Sequence, residues 1–368
     1  MIGRAALVAL TLAACSGRSH APAPTRTAAP RPVDAGVDAA PPIDAPPPPP
    51  PQWLRGSTHV HAAPSGDSQA DPARVVRWYR EHGYDFIVLT DHNRVTILDP
   101  ASGGRVAGDD GSVLVIAGSE LTFNPGACEQ PAPPPGGKCR IHVNVLGATA
   151  RPDGRLEWAD RTTRDRRAMY RAAAATTASL GGVAQLNHPQ WHWGLSAELL
   201  TGLAADGFAL VEVANAQFTA WNDGDAEHPS IEALWDVALG AGARLWAVAS
   251  DDAHAYDGVG RYPPGGGWVM VDAPRDADAI IAALAAGRFY ASTGVALTRA
   301  GVLGDALVVE LAEAPAGHTI TFLVDGQVAA EHADVAAARF PLPPPPSYVR
   351  AVVRRSDGAR AWIQPARR

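Results

Sequence analysis

Two histidines spaced two apart, His59-Val60-His61, close the first long apolar run of this chain, and a β-strand turns such a pair to one face. Imidazoles placed that way can reach one ion. Asp67 follows in the next loop, and His92 ends the second run in Thr90-Asp91-His92-Asn93. Glu120 ends the third run in Gly118-Ser119-Glu120, and His142 lies on the fourth in Ile141-His142-Val143-Asn144. His188 ends the fifth in Leu186-Asn187-His188-Pro189, and Asp252 and His254 end the seventh in Asp251-Asp252-Ala253-His254. Taken singly, a histidine beside a strand is usually a hydrogen-bonded loop or core residue, and an acid after a strand is often a helix cap. Together they point elsewhere. Six of the chain's twelve histidines, with three carboxylates, fall on or just after strands. Charges converging there are costly unless metal or partners satisfy them. Imidazole mixed with carboxylate suits zinc, manganese or iron, a donor set that favours hydrolysis, and this many ligands suits about two to three divalent ions.

The elements that must hold these residues are short apolar runs at 54–60, 86–90, 113–117, 141–146, 182–186, 209–213 and 244–249. Helical stretches at 72–82, 164–180, 196–204 and 231–240 lie between several of them. Strands apolar on both faces and separated by helices predict βα units and a parallel sheet. Seven such strands suit a TIM-like barrel, whose chemistry sits at the C-terminal strand ends. A further strand at 267–271 and a helix at 277–286 lead into the segment 287–294. Beyond it, runs at 306–311, 319–324, 337–342 and 348–353 predict a small all-β, sandwich-like domain over 301–368, with a turn at Val324-Asp325-Gly326.

The order and content of these motifs, from His59-Val60-His61 and Asp67 through Thr90-Asp91-His92-Asn93, Glu120, His142 and Asn187-His188-Pro189 to Asp252-Ala253-His254, resemble those of the PHP (polymerase and histidinol phosphatase) metallohydrolases. The 287–294 segment and the general length are similar to the carbaryl-hydrolase-like branch of that family. The resemblance covers residues 53–300. It implies an α/β fold, a distorted (β/α)7 TIM-like barrel, with a trinuclear site. In it His59, His61, Glu120 and Asp252 hold one ion, Asp67, His92 and His254 a second, and Glu120 with His142 and His188 a third. Some family members have His where this chain has Asp67. The resemblance implies a phosphoesterase acting on a small-molecule ester, or a carbamate or carboxylic ester hydrolase at the same site.

Asp252 is placed to relay a proton, and Asp252 and His254 are the candidate catalytic residues. Asp91, Asn93 and Asn187 are expected to orient ligands rather than to ligate. Arg261 or Arg288 could contact a phosphate, although surface solvation explains either, and Tyr290 could line the site. Trp191, Trp193 and Trp221 either wall an aromatic pocket or cap the barrel. Two rival readings stand beside this one. Amidohydrolases also begin with His-x-His but need a carboxylated lysine, and the only lysine, Lys138, lies between two cysteines in a loop. A non-catalytic, metal-containing binding lipoprotein is the other.

The opening residues read as an address. Arg4 precedes the apolar stretch 5–14, which is too short to span a bilayer and ends in Leu12-Ala13-Ala14-Cys15, similar to a bacterial lipobox. Residues 1–15 are therefore expected to be a lipoprotein signal with lipidated Cys15, and the Pro/Ala-rich residues 16–52 an extended stalk. The expected location is the bacterial cell envelope, with the protein lipid-anchored in the outer membrane and touching the membrane through that anchor alone. In an oxidising compartment Cys128 and Cys139 are expected to form a disulfide; a two-cysteine metal site lacks nearby histidines at zinc spacing. The net charge of −7, with no basic stripe, argues against nucleic-acid binding.

Overall fold

A computed structural model describes residues 49–96 and 111–368. Residues 49–368 form one compact unit, and Cys15, the signal and most of the stalk lie outside the described residues. Strand β1 (Trp53–Val60) pairs in parallel with β2 (Phe86–Leu89), and β2 with β3 (Leu114–Phe123). Both pairings bring a ligand-bearing strand end to the same side. Strand β3 then pairs antiparallel with β4 (Ile141–Leu146), and β4 antiparallel with β5 (Val183–Leu186). Parallel pairing resumes from β5 through β6 (Leu210–Asn215) to β7 (Trp246–Ser250). One isolated bridge, Val60 to Ala253, brings the end of β1 next to the segment following β7.

Five helices begin at a Ser or Asp whose side chain accepts from a backbone N–H in the first turn, satisfying one of the four donors a helix start leaves free. They are α1 (Pro72–Glu81) capped by Asp71, α2 (Arg166–Ser179) by Asp165, α3 (Ala197–Ala205) by Ser196, α5 (Ile231–Gly240) by Ser230 and α6 (Ala277–Ala285) by Asp276. A short α4 (Thr219–Asp223) precedes α5. The apolar faces of these helices pack on strands that are buried along nearly their whole length, such as β2 and β4.

The expected (β/α)7 TIM-like barrel with an appended β-domain is corrected by this arrangement. Among the described residues the molecule is mostly β, a mixed sheet of 13 strands and a second sheet of three, with 21% helical. The 13-stranded sheet runs on from β1 through β8 (Trp268–Asp272) and β9 (Phe289–Ser292) to β16 (Arg360–Ala366), β15 (Val349–Arg355), β12 (His318–Val324) and β13 (Gln327–Ala333). The physical cause is visible at β3–β4. Their connection, rich in proline and glycine and closed by a disulfide, carries no helix, so the chain reverses and pairs antiparallel instead of crossing over. Apolar runs buried on both faces do not reveal strand direction.

The three-stranded sheet, β10 (Leu297–Leu303), β11 (Ala306–Leu311) and β14 (Ala337–Pro341), lies over the far end of the large sheet. Between them Leu307 and Val309 meet Ile320, Phe322, Ala351 and Val353. Two contacts tie this end to the ligand-bearing strands. The Gln364 side-chain amide exchanges both of its hydrogen bonds with the backbone of Ala247 on β7, at 2.8 and 2.9 Å. Arg350, buried on β15, donates twice to Asp236 on α5, at 2.6 Å each. Among the described residues, no helix is long and apolar enough to cross a membrane.

Candidate metal centre

The nine residues expected to be ligands come together at the ends of β1, β2, β3, β5 and β7, with His142 on β4. Three overlapping groups have donor atoms close enough to share an ion: His61, Asp67, His92 and His254; His59, Glu120 and His188; and His59, His61 and Asp252. His59 and His61 belong to two groups each. His61 thus joins the cluster of Asp67, His92 and His254, a membership the spacing of the motifs did not suggest. His142 stands slightly apart. Its Nδ1 lies 2.9 Å from Glu120 Oε1 and its Nε2 lies 3.0 Å from Asn124 Oδ1.

Glu120 is the hub. Its carboxylate lies 2.6 Å from His92, 2.9 Å from His142, 3.5 Å from His59 and 3.6 Å from His188. Burial works against its charge, yet His142, His92 and His59 hold its pKa well below the usual carboxylate range. Asp252 is similarly placed, 3.1 Å from His59 Nε2 and 3.2 Å from His61 Nε2. His92 shows the opposite balance: burial opposes its charge, but Glu120 and Asp67 at its two ring nitrogens raise its pKa to about 10. His61, buried and facing His254 and His92, is lowered to about 3, so this imidazole keeps a lone pair.

The donor set fits divalent metal. His59 Nδ1 lies 2.7 Å from Glu212 Oε1, the position of a proton donated to that carboxylate. His61 Nδ1 is 3.0 Å from Ser65 Oγ. Nε2 of both histidines is buried and has no hydrogen-bond partner, although both face Asp252 and Glu120. Buried nitrogens are seldom left so, since an unmade bond costs about 1–3 kcal/mol. A cation between imidazole lone pairs and carboxylates would satisfy them all.

The backbone at the rim is held in an uncommon conformation. His188, Asp252 and Asn93 have φ of 27°, 47° and 50°, in or near the left-handed region that non-glycine residues avoid at some cost. Asn93 is fixed there by Thr122 and Trp158, whose backbone N–H and indole donate to its Oδ1 at 2.9 and 2.7 Å. Asn187 donates to Glu120 Oε1 at 2.9 Å, and Asp91 accepts from the backbone N–H of Ala62 at 2.7 Å and from Thr96. All three act on ligands or on the chain that carries them.

Other expectations do not reach the site. Arg288 is exposed on the turn between α6 and β9, and Tyr290 is buried in the core between the two sheets, edge-on to Trp53 at 4.9 Å, with its hydroxyl accepting from Leu297 N–H. Tyr290 lies on the face of β9 that packs into that core, and no residue of β9 lines the cavity over the ligands. Arg261 is exposed, its guanidinium 5.8 Å from the ring of its neighbour Tyr262. Of the tryptophans, Trp191 reaches the cavity, 5.3 Å from the His188 ring, while Trp193 and Trp221 pack on each other at 4.7 Å. The sulfurs of Cys128 and Cys139 are joined as a disulfide.

Sequence reasoning passed over Glu212. It lies fully buried on β6, beside His59 Nδ1, and accepts from the His188 backbone N–H at 2.6 Å, from Ser250 Oγ at 2.5 Å and from Asn215 at 3.0 Å. Its signal was present as an acid in the middle of the apolar run Leu210-Val211-Glu212-Val213. Tyr262, Phe218 and Arg140 were also missed as lining of the cavity, about 350 Å³, that opens onto the cluster and that Trp191 helps to wall. No protein-family profile matches this chain, and no curated protein matches it.

Proposed function

We propose that this protein is a metal-dependent hydrolase, of the kind the PHP-like motifs imply, whose substrate is a small phosphoester. One observation carries the reading: the buried Nε2 atoms of His59 and His61 have no hydrogen-bond partner and face Asp252 and Glu120, which line an open cavity. His59, His61, Asp67, His92, Glu120, His188 and Asp252, with His254, would hold about two to three divalent ions, and His142 adjoins them. Such ions supply Lewis acidity, polarising a phosphoryl or carbonyl oxygen and acidifying water.

The remaining work belongs to the chain. Glu212 keeps the His59 proton on Nδ1, so that Nε2 presents its lone pair inward. Asp252 reaches the cavity among three histidines and is placed to accept a proton from an attacking water and pass it on. Trp191, Phe218 and Tyr262 wall the cavity and exclude water from the reacting bond. That aromatic wall also favours a second reading, a carbamate or carboxylic ester bearing an aryl group.

The test is a panel of aryl phosphomonoesters, phosphodiesters, carbamates and carboxylic esters offered to protein loaded with zinc, manganese or iron(II). Hydrolysis of a phosphoester, abolished by chelator and restored by metal, is the expected result. Turnover of carbamates alone would favour the second reading, and no turnover at all would leave a metal-containing binding protein. The lipobox-like Leu12-Ala13-Ala14-Cys15 supports a lipid-anchored envelope protein. Labelled fatty acid should enter the wild type and not Cys15→Ser.

A further inference from the structure

Arg140 immediately precedes β4, two residues ahead of His142, and lines the cavity. Its guanidinium lies 4.9 Å over the ring of Trp191, and that ring is in turn 5.7 Å from His142 and 5.3 Å from His188. The arginine therefore stands one aromatic ring away from the metal cluster. Several buried or half-buried arginines among the described residues are matched by carboxylates: Arg350 has Asp236, Arg355 has Asp357, and Arg360 has Asp223. Arg140 has none. Among the described residues no carboxylate lies within ion-pair distance of it, its buried Nε has no partner, and its one bond is a long 3.5 Å contact to the carbonyl of Cys139. Lys138, the only lysine in the chain, is near enough that it and Arg140 act together, after burial, to lower the pKa of His192.

The wall carrying Arg140 is braced from behind. Cys139, its neighbour, is bonded to Cys128. Arg166, fully buried, donates to Cys128 Sγ at 2.8 Å and to the Pro131 carbonyl at 3.0 Å, gripping both the disulfide and the loop it closes. The same arginine packs on the segment after Trp193, where a Cβ added to Gly194 would stand 2.7 Å from Arg166 Nη1. The stacked pair, Arg140 on Trp191, thus has both halves set on one braced frame. A planar guanidinium held by stacking, with its donors unspent, is arranged to grip a tetrahedral oxyanion in a fork.

We propose that Arg140, stacked on Trp191 and fixed by the Cys128–Cys139 bridge, is the specificity-determining residue that binds a phosphate oxyanion at the mouth of the cavity. The substrate class follows the hydrolase reading, but the binding does not require turnover. Isothermal titration of the metal-loaded full chain with inorganic phosphate tests it. Arg140→Gln should weaken phosphate binding at least about tenfold, and Arg140→Lys, which restores the charge without the fork, should recover part of the loss. Melting temperatures of the variants should match the wild type. Equal phosphate affinity in wild type and Arg140→Gln, or a wild type that binds no phosphate, would overturn the proposal. Absence of hydrolysis with Arg140-dependent phosphate binding would sink the hydrolase reading and leave this one standing.

Discussion

His59 has its two ring nitrogens in different surroundings, one against Glu212 and one facing Asp252 and Glu120. Removing the Glu212 charge while keeping its shape should therefore act through the histidine. Glu212→Gln is expected to lower metal affinity about 10–100-fold, read by competition with a chelating dye, with the circular dichroism spectrum intact. Unchanged affinity would show that Glu212 only fills space. At this scale much of the site was legible, because histidines and acids at the ends of apolar strands stand out when each is expensive to bury alone. The same reasoning reaches Glu212 once a carboxylate inside an apolar run is treated as a signal. Arg140 and Tyr262 were not legible, since nothing in their neighbours along the chain says which loops fold over the cavity. Tyr290 misled for a related reason: its place within the 287–294 segment said nothing about which face of β9 it would occupy.

Strands β3 and β4 show how an element can position a ligand through its packing. Gly118 lies on β3 two residues before Glu120, and a Cβ there would stand 2.5 Å from the Val145 carbonyl oxygen and 2.7 Å from Val88 Cγ1. The strands cannot close over that volume without shifting. Gly118→Ala should cost about 1–3 kcal/mol in urea unfolding and reduce metal content as Glu120 moves. Full stability with full metal content would contradict this packing account. Farther off, Arg350 on β15 is nearly inaccessible and depends on Asp236 and Glu232 of α5, at 2.6 and 3.4 Å, for its charge balance. The double variant Asp236→Ala/Glu232→Ala, which removes both carboxylates, leaves that cation buried and unpaired, and is expected to destabilise by about 3–5 kcal/mol. A loss below about 1 kcal/mol, the scale of an exposed pair, would mean that water reaches the site. Element types were largely readable here, helices from their Ser and Asp caps and strands from their apolar runs. Strand direction was not, because burial on both faces gives the same pattern in parallel and antiparallel pairs, and the bridged loop before β4 is what reverses the chain.

The two sheets of residues 49–368 share one framework, so the ligand-bearing strands and the C-terminal strands are held in register by pairings such as β9 with β16. The expectation of a barrel with an appended β-domain failed because five strands after α6, β9, β12, β13, β15 and β16, pair into the same sheet as the ligand-bearing strands, a non-local choice no local pattern encodes. Ligands that bind only the folded chain stabilise it, by about 2.7 kcal/mol at a hundredfold excess over Kd. Chelator should accordingly lower the melting temperature of the wild type and not that of the His59→Ala/His61→Ala double variant. The central claim is that histidines and carboxylates from six strands form a binding site for divalent metal. Elemental analysis of the purified, dialysed full chain tests it most directly. The wild type should retain about two to three equivalents of zinc, manganese or iron, and the double variant should lose most of them. A wild type that stays metal-free after equilibration with each of those ions would contradict it.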